Sequence, residues 1–139
     1  KTSIRLYWHD EAQPILRADF ELDWSWLEFV ATFDHILSLT LAAAPRRVDL
    51  ILFNNAKGFR LPAGNPWPAV RRLAARIPAN AGIQVQVGGT RASIIFQSMQ
   101  RHFSADAAAR THFADTLEEA LPLIAAARAG TLDTAPPLD

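Results

Sequence analysis

The stretch Val48-Asp49-Leu50-Ile51-Leu52-Phe53 constrains this fold more than any other. It is almost continuously apolar yet too short for a typical helix, so it reads as a strand covered on both faces. Such a strand belongs inside a sheet, with other elements packed above and below it. Upstream, Ile4, Leu6 and Trp8 alternate with Arg5 and Tyr7, and the same period of two returns from Ile15 to Phe20. The polar segment His9 to Pro14 lies between them, so the spacing predicts a β-hairpin.

Helical spacing takes over after Asp23. Ser25 and Glu28 have the separation of a capping box, in which each side chain satisfies a backbone N–H at the helix start. Trp26, Phe29, Val30, Phe33, Ile36, Leu37 and Thr40 follow on one face, and Pro45 ends the run. Beyond the buried strand and a loop from Asn54 to Gly64, Asn65 is placed to cap a second helix. Pro66 and Pro68 occupy its first turn, where the N–H that proline lacks has no helical partner. That helix is expected to reach about Ile77, with Pro78 to Gly82 as a turn.

Ile83, Val85 and Val87 alternate with Gln84 and Gln86, which predicts a strand polar on one face or close to an edge. Gly88-Gly89 breaks it, and Thr90 caps a third helix carrying Ile94, Ile95, Met99 and Phe103. Ser104 to Arg110 reads as an Ala-rich, charged connection and Thr111 to Ala114 as a short strand. Thr116 and Glu119 form a second capping box opening the last helix, which Pro122 is expected to bend. The fold class is therefore α/β with a mixed, mostly parallel sheet and the order β-β-α-β-α-β-α-β-α. Residues 1–132 form one domain on this reading, and Asp133 to Asp139, with Pro136-Pro137, is a frayed tail.

Composition narrows the function. A chain of 139 residues fits one domain. Fourteen Lys and Arg balance fourteen Asp and Glu, so no basic field attracts nucleic acid or an anionic membrane. There is no Cys, which removes disulfides, thiolate metal sites and thiol nucleophiles, and fits the cytoplasm. No uninterrupted apolar run approaches the roughly 18 residues of a membrane span, and Lys1 to Trp8 alternates where a signal peptide would be continuously apolar.

Catalytic spacing is equally scarce. His9, His35, His102 and His112 fall in unrelated elements without the close His-carboxylate spacing of a zinc site. Ser93 and Ser98 lie in a helix with no evident base, and no Gly-x-Ser-x-Gly elbow occurs. Asp19, Glu21 and Asp23 read as a solvated acidic run. Arg71, Arg72 and Arg76 form a basic outer stripe on the second helix. The expectation is a protein without catalytic residues, metal or cofactor.

Binding residues are sought instead where the strands' C-terminal ends meet, the edge at which α/β proteins usually hold ligands. Three loops converge there: Leu22 to Ser25, Asn54 to Gly64 and Gly88 to Arg91. Asn54, Asn55, Lys57 and Arg60 supply amide, ammonium and guanidinium groups suited to a carboxylate, a phosphate or a partner's acidic patch. Gly89, Thr90 and Arg91 open a helix, whose N–H groups make an anion seat, although Thr90 also serves as a plain cap. Trp24 and Trp26 are two apart, so one can pack inward while the other faces a partner; Trp24 and Trp67 are the aromatics expected at the rim.

The arrangement resembles the STAS superfamily, the fold of bacterial anti-sigma-factor antagonists. The points of likeness are the central strand Val48 to Phe53, the Gly64 turn into the second helix, and the ending Phe113-Ala114-Asp115-Thr116-Leu117-Glu118-Glu119-Ala120-Leu121. The antagonists carry Asp-Ser-Ser-Gly at the second helix and are phosphorylated on Ser. Here the matching stretch is Leu61-Pro62-Ala63-Gly64, so a phosphoswitch at that position is excluded. The chain is also similar to a small group of bacterial STAS-like proteins through Trp24-Ser25-Trp26-Leu27-Glu28-Phe29 and the same Leu61 to Gly64 stretch. The resemblance implies the fold and supplies no activity; the expectation is a non-enzymatic, cytoplasmic STAS-like regulatory module that binds a protein partner or itself, a homodimer being suggested by the half-apolar composition and the expected exposure of Trp24 and Trp67. Trp24, Asn54, Asn55, Lys57, Arg60, Gly64, Asn65, Gly89, Thr90 and Arg91 are its expected contacts. The alternative is a sensor holding a small anionic or lipid-like ligand between Asn55, Lys57 and Thr90.

Overall fold

The computed structural model describes residues 3–21, 23–54, 62–75, 77–88, 98, 101 and 105–132. The strands are β1 (Ile4–Asp10), β2 (Ile15–Phe20), β3 (Val48–Asn54), β4 (Ala81–Val87) and β5 (Thr111–Ala114). The helices among the described residues are α1 (Trp26–Ala43), α2 (Trp67–Ala75), α3 (Ala105–Ala109) and α4 (Leu117–Arg128). The strands form a five-stranded mixed sheet in the order β1-β2-β3-β4-β5. β1 runs antiparallel to β2, and every other neighbouring pair is parallel.

The alternation seen in the sequence assigns each side chain to a layer. Leu16, Ala18, Leu50 and Leu52 face α1 and pack with its Phe29 and Ile36. Ile15, Ile51, Ile83, Val85 and Val87 face the opposite side and pack with Ala120 and Ile124 of α4. β3 therefore contributes to both cores, as its continuous apolar run demands, and each large aliphatic so buried adds roughly 1.5–3 kcal/mol. By length and composition alone α1 is long and apolar enough to cross a membrane. Glu28 and Asp34 interrupt it, and Phe29, Ile36 and Thr40 are buried in the fold.

Asp49, the one charged residue in the β3 run, is fully buried. Its Oδ2 lies 2.6 Å from Arg128 Nε, and its Oδ1 accepts from Arg47 Nε at 3.1 Å and from the Ile83 N–H at 2.8 Å. Arg128 also donates to Pro14 O at 2.9 Å, so one carboxylate joins α4 to the starts of β2, β3 and β4. A buried carboxylate needs this degree of pairing to be tolerated. Gly82 is obligatory beside it, because a Cβ there would overlap Asp49 Oδ1 and Arg47 Nε. The β3/β4 register shifts at this same place, between Val48 and Leu50.

Several expectations are corrected in detail. Ala105–Ala109 is helical where a connection was expected, as its alanines favour. Ser25 Oγ accepts from the Glu28 N–H, as the capping spacing predicts, and the Glu28 Oε2 accepts from the N–H groups of Ser3 and Ile4, tying α1 to β1. α2 begins at Trp67, whose N–H donates to Asn65 Oδ1 at 3.1 Å, while Pro66 O accepts from Val70 N–H. Pro122 lies inside α4, as the sequence predicts. The expected helix from Thr90 to Phe103 lies mostly outside the described residues, as does the tail from Asp133.

Candidate functional site

Parallel pairing brings the strand ends together. Phe20 of β2 pairs with Asn54 of β3, Phe53 with Val87 of β4, and Val87 with Ala114 of β5, so their C-terminal ends share one rim. Asn54 Nδ2 donates to Val87 O at 3.1 Å and Gly88 O at 3.2 Å, and the Gly88 N–H donates to Ala114 O at 3.1 Å. Asn54 thus spends its amide on lacing β3 to β4. Gly88 has φ +77°, a conformation that suits glycine, and the Asn54 backbone lies close beside it. The candidates Asn55, Lys57, Arg60, Gly89, Thr90 and Arg91 lie outside the described residues.

Trp24 is corrected: it is buried, 5% exposed, and is no rim contact. It precedes α1 and turns inward against Phe20, with ring centroids 5.2 Å apart, and against Phe29 at 5.5 Å. Trp26 is half-buried and its indole Nε1 donates to Pro62 O at 3.3 Å. The exposed Gly64, at φ +104°, sits against the same indole, 3.8 Å from a Cβ position to Trp26 Cδ1. Trp26, with Trp24 packed edge-on against it, therefore binds the start of α1 to the segment entering α2. The large apolar side chains left in solvent at these helix starts are Leu27, which the sequence reading passed over, and Trp67.

A polar cluster on the α4 face of the hairpin was also missed. Tyr7 OH donates to Asp19 Oδ2 at 2.8 Å, Arg17 Nε donates to Asp19 Oδ1 at 2.6 Å, and Arg5 Nη2 lies 3.6 Å from Oδ2. Asp19 is buried, 5% exposed, which corrects its reading as part of a solvated acidic run. Burial raises the Tyr7 pKa above its usual value, and the hydrogen bond to Asp19 and that residue's charge add to the effect. Arg17 stacks over the Phe53 ring at 4.7 Å. The signal was present in the alternation: Arg5, Tyr7, Arg17 and Asp19 share the parity opposite to Leu6, Trp8, Leu16 and Ala18. Both Asp19 oxygens are engaged, Oδ1 by Arg17 and Oδ2 by Tyr7 with Arg5 close by.

The third feature is a half-open cleft of about 120 Å³ between α1, α2 and the sheet. Val48, Ala81, Gly82 and Thr111, at or near the starts of β3, β4 and β5, line it, so it lies at the end of the sheet opposite the rim. Its walls are mostly apolar, including Phe33 and Leu37 of α1 and Leu50 of β3. Asp34 and Arg72, joined by hydrogen bonds of 3.0 and 2.8 Å, are partly exposed and mark its solvent side. Arg72 is exposed, as the expected outer stripe requires, and pairs across to Asp34 of α1. Gln84 also lines the cleft, and its buried Nε2 has no hydrogen-bond partner among the described residues.

Among the described residues, no three His, Cys, Asp or Glu side chains are grouped to hold a metal ion. No protein-family model, curated protein or solved structure matches the chain.

Proposed function

We propose that this chain is a non-enzymatic, STAS-like regulatory module that binds another protein, or a second copy of itself, at the rim where α1 and α2 begin. The observation that supports the reading is the exposure of Leu27, 82%, and Trp67, 39%, on the first turns of these helices. The Trp26 to Pro62 hydrogen bond ties the start of α1 to the segment entering α2, which anchors the turns that carry these two side chains. A tryptophan and an aliphatic held this way are suited to anchoring a partner, because little side-chain or loop ordering remains to be lost on binding. The Leu61 to Gly64 stretch has no hydroxyl, so recognition in this reading is constitutive and independent of phosphorylation there. The module acts in the cytoplasm of a bacterium, without cofactor.

The test combines light scattering with capture from the native host's lysate. Leu27→Glu with Trp67→Ala is expected to weaken dimerisation or partner recovery by at least about tenfold, the effect of losing one buried anchor. A wild-type monomer at high concentration, together with partner recovery unchanged by the double substitution, removes this surface from consideration.

A further inference from the structure

We infer that the outer edge of β1 pairs antiparallel with β1 of a second copy of this chain, about a two-fold axis at Tyr7, so that the sheet runs on through a homodimer. β1 ends the strand order, and among the described residues no strand pairs with its free side. Which backbone groups point there follows from the ladder. In an antiparallel pair, residues that exchange N–H and C=O bonds with the neighbour alternate with residues that turn both groups away. Glu21 N–H donates to Ser3 O at 2.8 Å, whereas the Ile4 N–H goes to Glu28 Oε2 at 2.9 Å and not to Phe20, its register partner. Pro14 O accepts from the Asp49 N–H at 3.1 Å, which turns Leu16 and Ala18, in step with it, toward β3 as well. Arg5 and Tyr7 therefore bond to Asp19 and Arg17 of β2, while Leu6 and Trp8 present their N–H and C=O groups outward.

The edge is closed at both ends and open between them. Glu28 occupies the Ile4 N–H, and the register shift between Trp8 and Asp10 interrupts the ladder beyond. Edge strands are commonly guarded by lysine, proline or a bulge. The window Leu6-Tyr7-Trp8 holds none of these. It is also self-complementary: with the axis at Tyr7, the outward groups of Leu6 meet those of Trp8 of the second copy, and the reverse, giving about four hydrogen bonds. The same register sets Leu6 beside Trp8 of the second copy on the α1 face, where each is only half-buried in one chain. Cross-strand apolar pairs of this kind stabilise a sheet. On the other face Arg5 comes opposite His9 of the second copy, and the Arg5 charge is already met by Asp19 Oδ2 at 3.6 Å. A second copy thus matches the window in both backbone and side chains, whereas an unrelated extended segment matches it in backbone alone. This pairing uses neither Leu27 nor Trp67, so the inference goes beyond the rim proposed above and leaves that rim to a different protein.

Two measurements test it. Amide hydrogen exchange on the wild-type chain, read by NMR, is compared between a dilute sample and one roughly a hundredfold more concentrated. The Leu6 and Trp8 N–H groups are expected to exchange at least about tenfold more slowly in the concentrated sample, while those of Arg5 and Tyr7, bonded within the sheet, change little. The second measurement uses the absence of cysteine from the chain. In the inferred register the two copies of Tyr7 form a non-hydrogen-bonded pair with Cα atoms about 4.5 Å apart, within the roughly 4.4–6.8 Å that a disulfide spans. Tyr7→Cys is expected to give a disulfide-linked dimer with oxidised glutathione, and Arg5→Cys, which faces His9 and not its own counterpart, is not. Circular dichroism checks the fold of both variants; should Tyr7→Cys not fold, the exchange measurement decides alone. Exchange at Leu6 and Trp8 that ignores the chain's own concentration, or cross-linking of Arg5→Cys as fast as that of Tyr7→Cys, overturns the inference. Protection of Leu6 and Trp8 only when another protein is added overturns it too, and assigns the edge to an extended segment of that protein. Leu27→Glu and Trp67→Ala leave both readouts unchanged, so failure here and failure at the rim are distinguishable.

Discussion

Arg128, on the last turn of α4, places its Nε 2.6 Å from Oδ2 of Asp49 at the start of β3, joining residues 79 apart in the chain. Asp49 has no exposed surface, and Arg47 and the Ile83 N–H share its other oxygen. Removing the charge leaves two guanidinium groups facing a neutral amide. Asp49→Asn is expected to destabilise the domain by about 3–5 kcal/mol, the usual cost of breaking a buried pair from one side. Urea denaturation measures it, and a loss below about 1 kcal/mol would mean that the ion pairs add little beyond their hydrogen bonds.

Gly82 is the steric counterpart of that pairing. Gly82→Ala drives a methyl group into the Asp49 carboxylate and Arg47, so β4 or the carboxylate must move. The expected loss is about 1–3 kcal/mol, whereas Gly130→Ala, where a Cβ meets nothing within 4 Å, carries only the strain of φ +75°. Comparing the two variants' urea midpoints separates the clash from the backbone term.

Tyr7 is the chain's single tyrosine, so its ionisation can be followed by absorbance without interference. Its pKa is raised above 10.0, with burial the largest cause and Asp19 the next. The unfolded chain loses this proton first as pH rises, so the contribution to stability is intact below about pH 10 and fades as pH climbs through the folded-state value. Asp19→Asn should move the titration back toward 10.0 without fully restoring it, because the burial remains. A titration unaffected by that substitution would rule out the Asp19 contribution.

His112 gives the opposite limb. It stands on β5 beside Val85, and burial lowers its pKa below 6.5. Above pH 6.5 both folded and unfolded states hold it neutral. As pH falls below 6.5 the unfolded chain takes up the proton more readily, so stability declines toward the lower folded-state value. His112→Leu should flatten that decline in urea midpoints measured between pH 7.5 and pH 5; an unchanged slope would assign the decline to other groups.

Alternation and capping residues made much of the architecture legible. The parity of Leu16 and Ala18 against Ile15 and Arg17 sorts the hairpin's faces, and the dual burial of β3 is written in Leu50, Ile51 and Leu52. Thr116 and Ser25 mark their helix starts because a hydroxyl acceptor for an unpaired N–H is a local need. Local needs leave local signals.

Contacts between distant segments leave none, and these decided the sites. That Trp24 turns inward while Leu27 stays in solvent depends on the core cluster it joins, which includes Leu52 of β3 and Val70 of α2. Asp19 looked like one more surface acid until the hairpin set Tyr7 and Arg17 against it. The cleft beside Gln84 is lined by residues of α1, of α2 and from the starts of β3 and β4, which no single segment of the sequence brings together. Periodicity along the chain determines which face a residue takes, but only the assembled layers determine what it meets there.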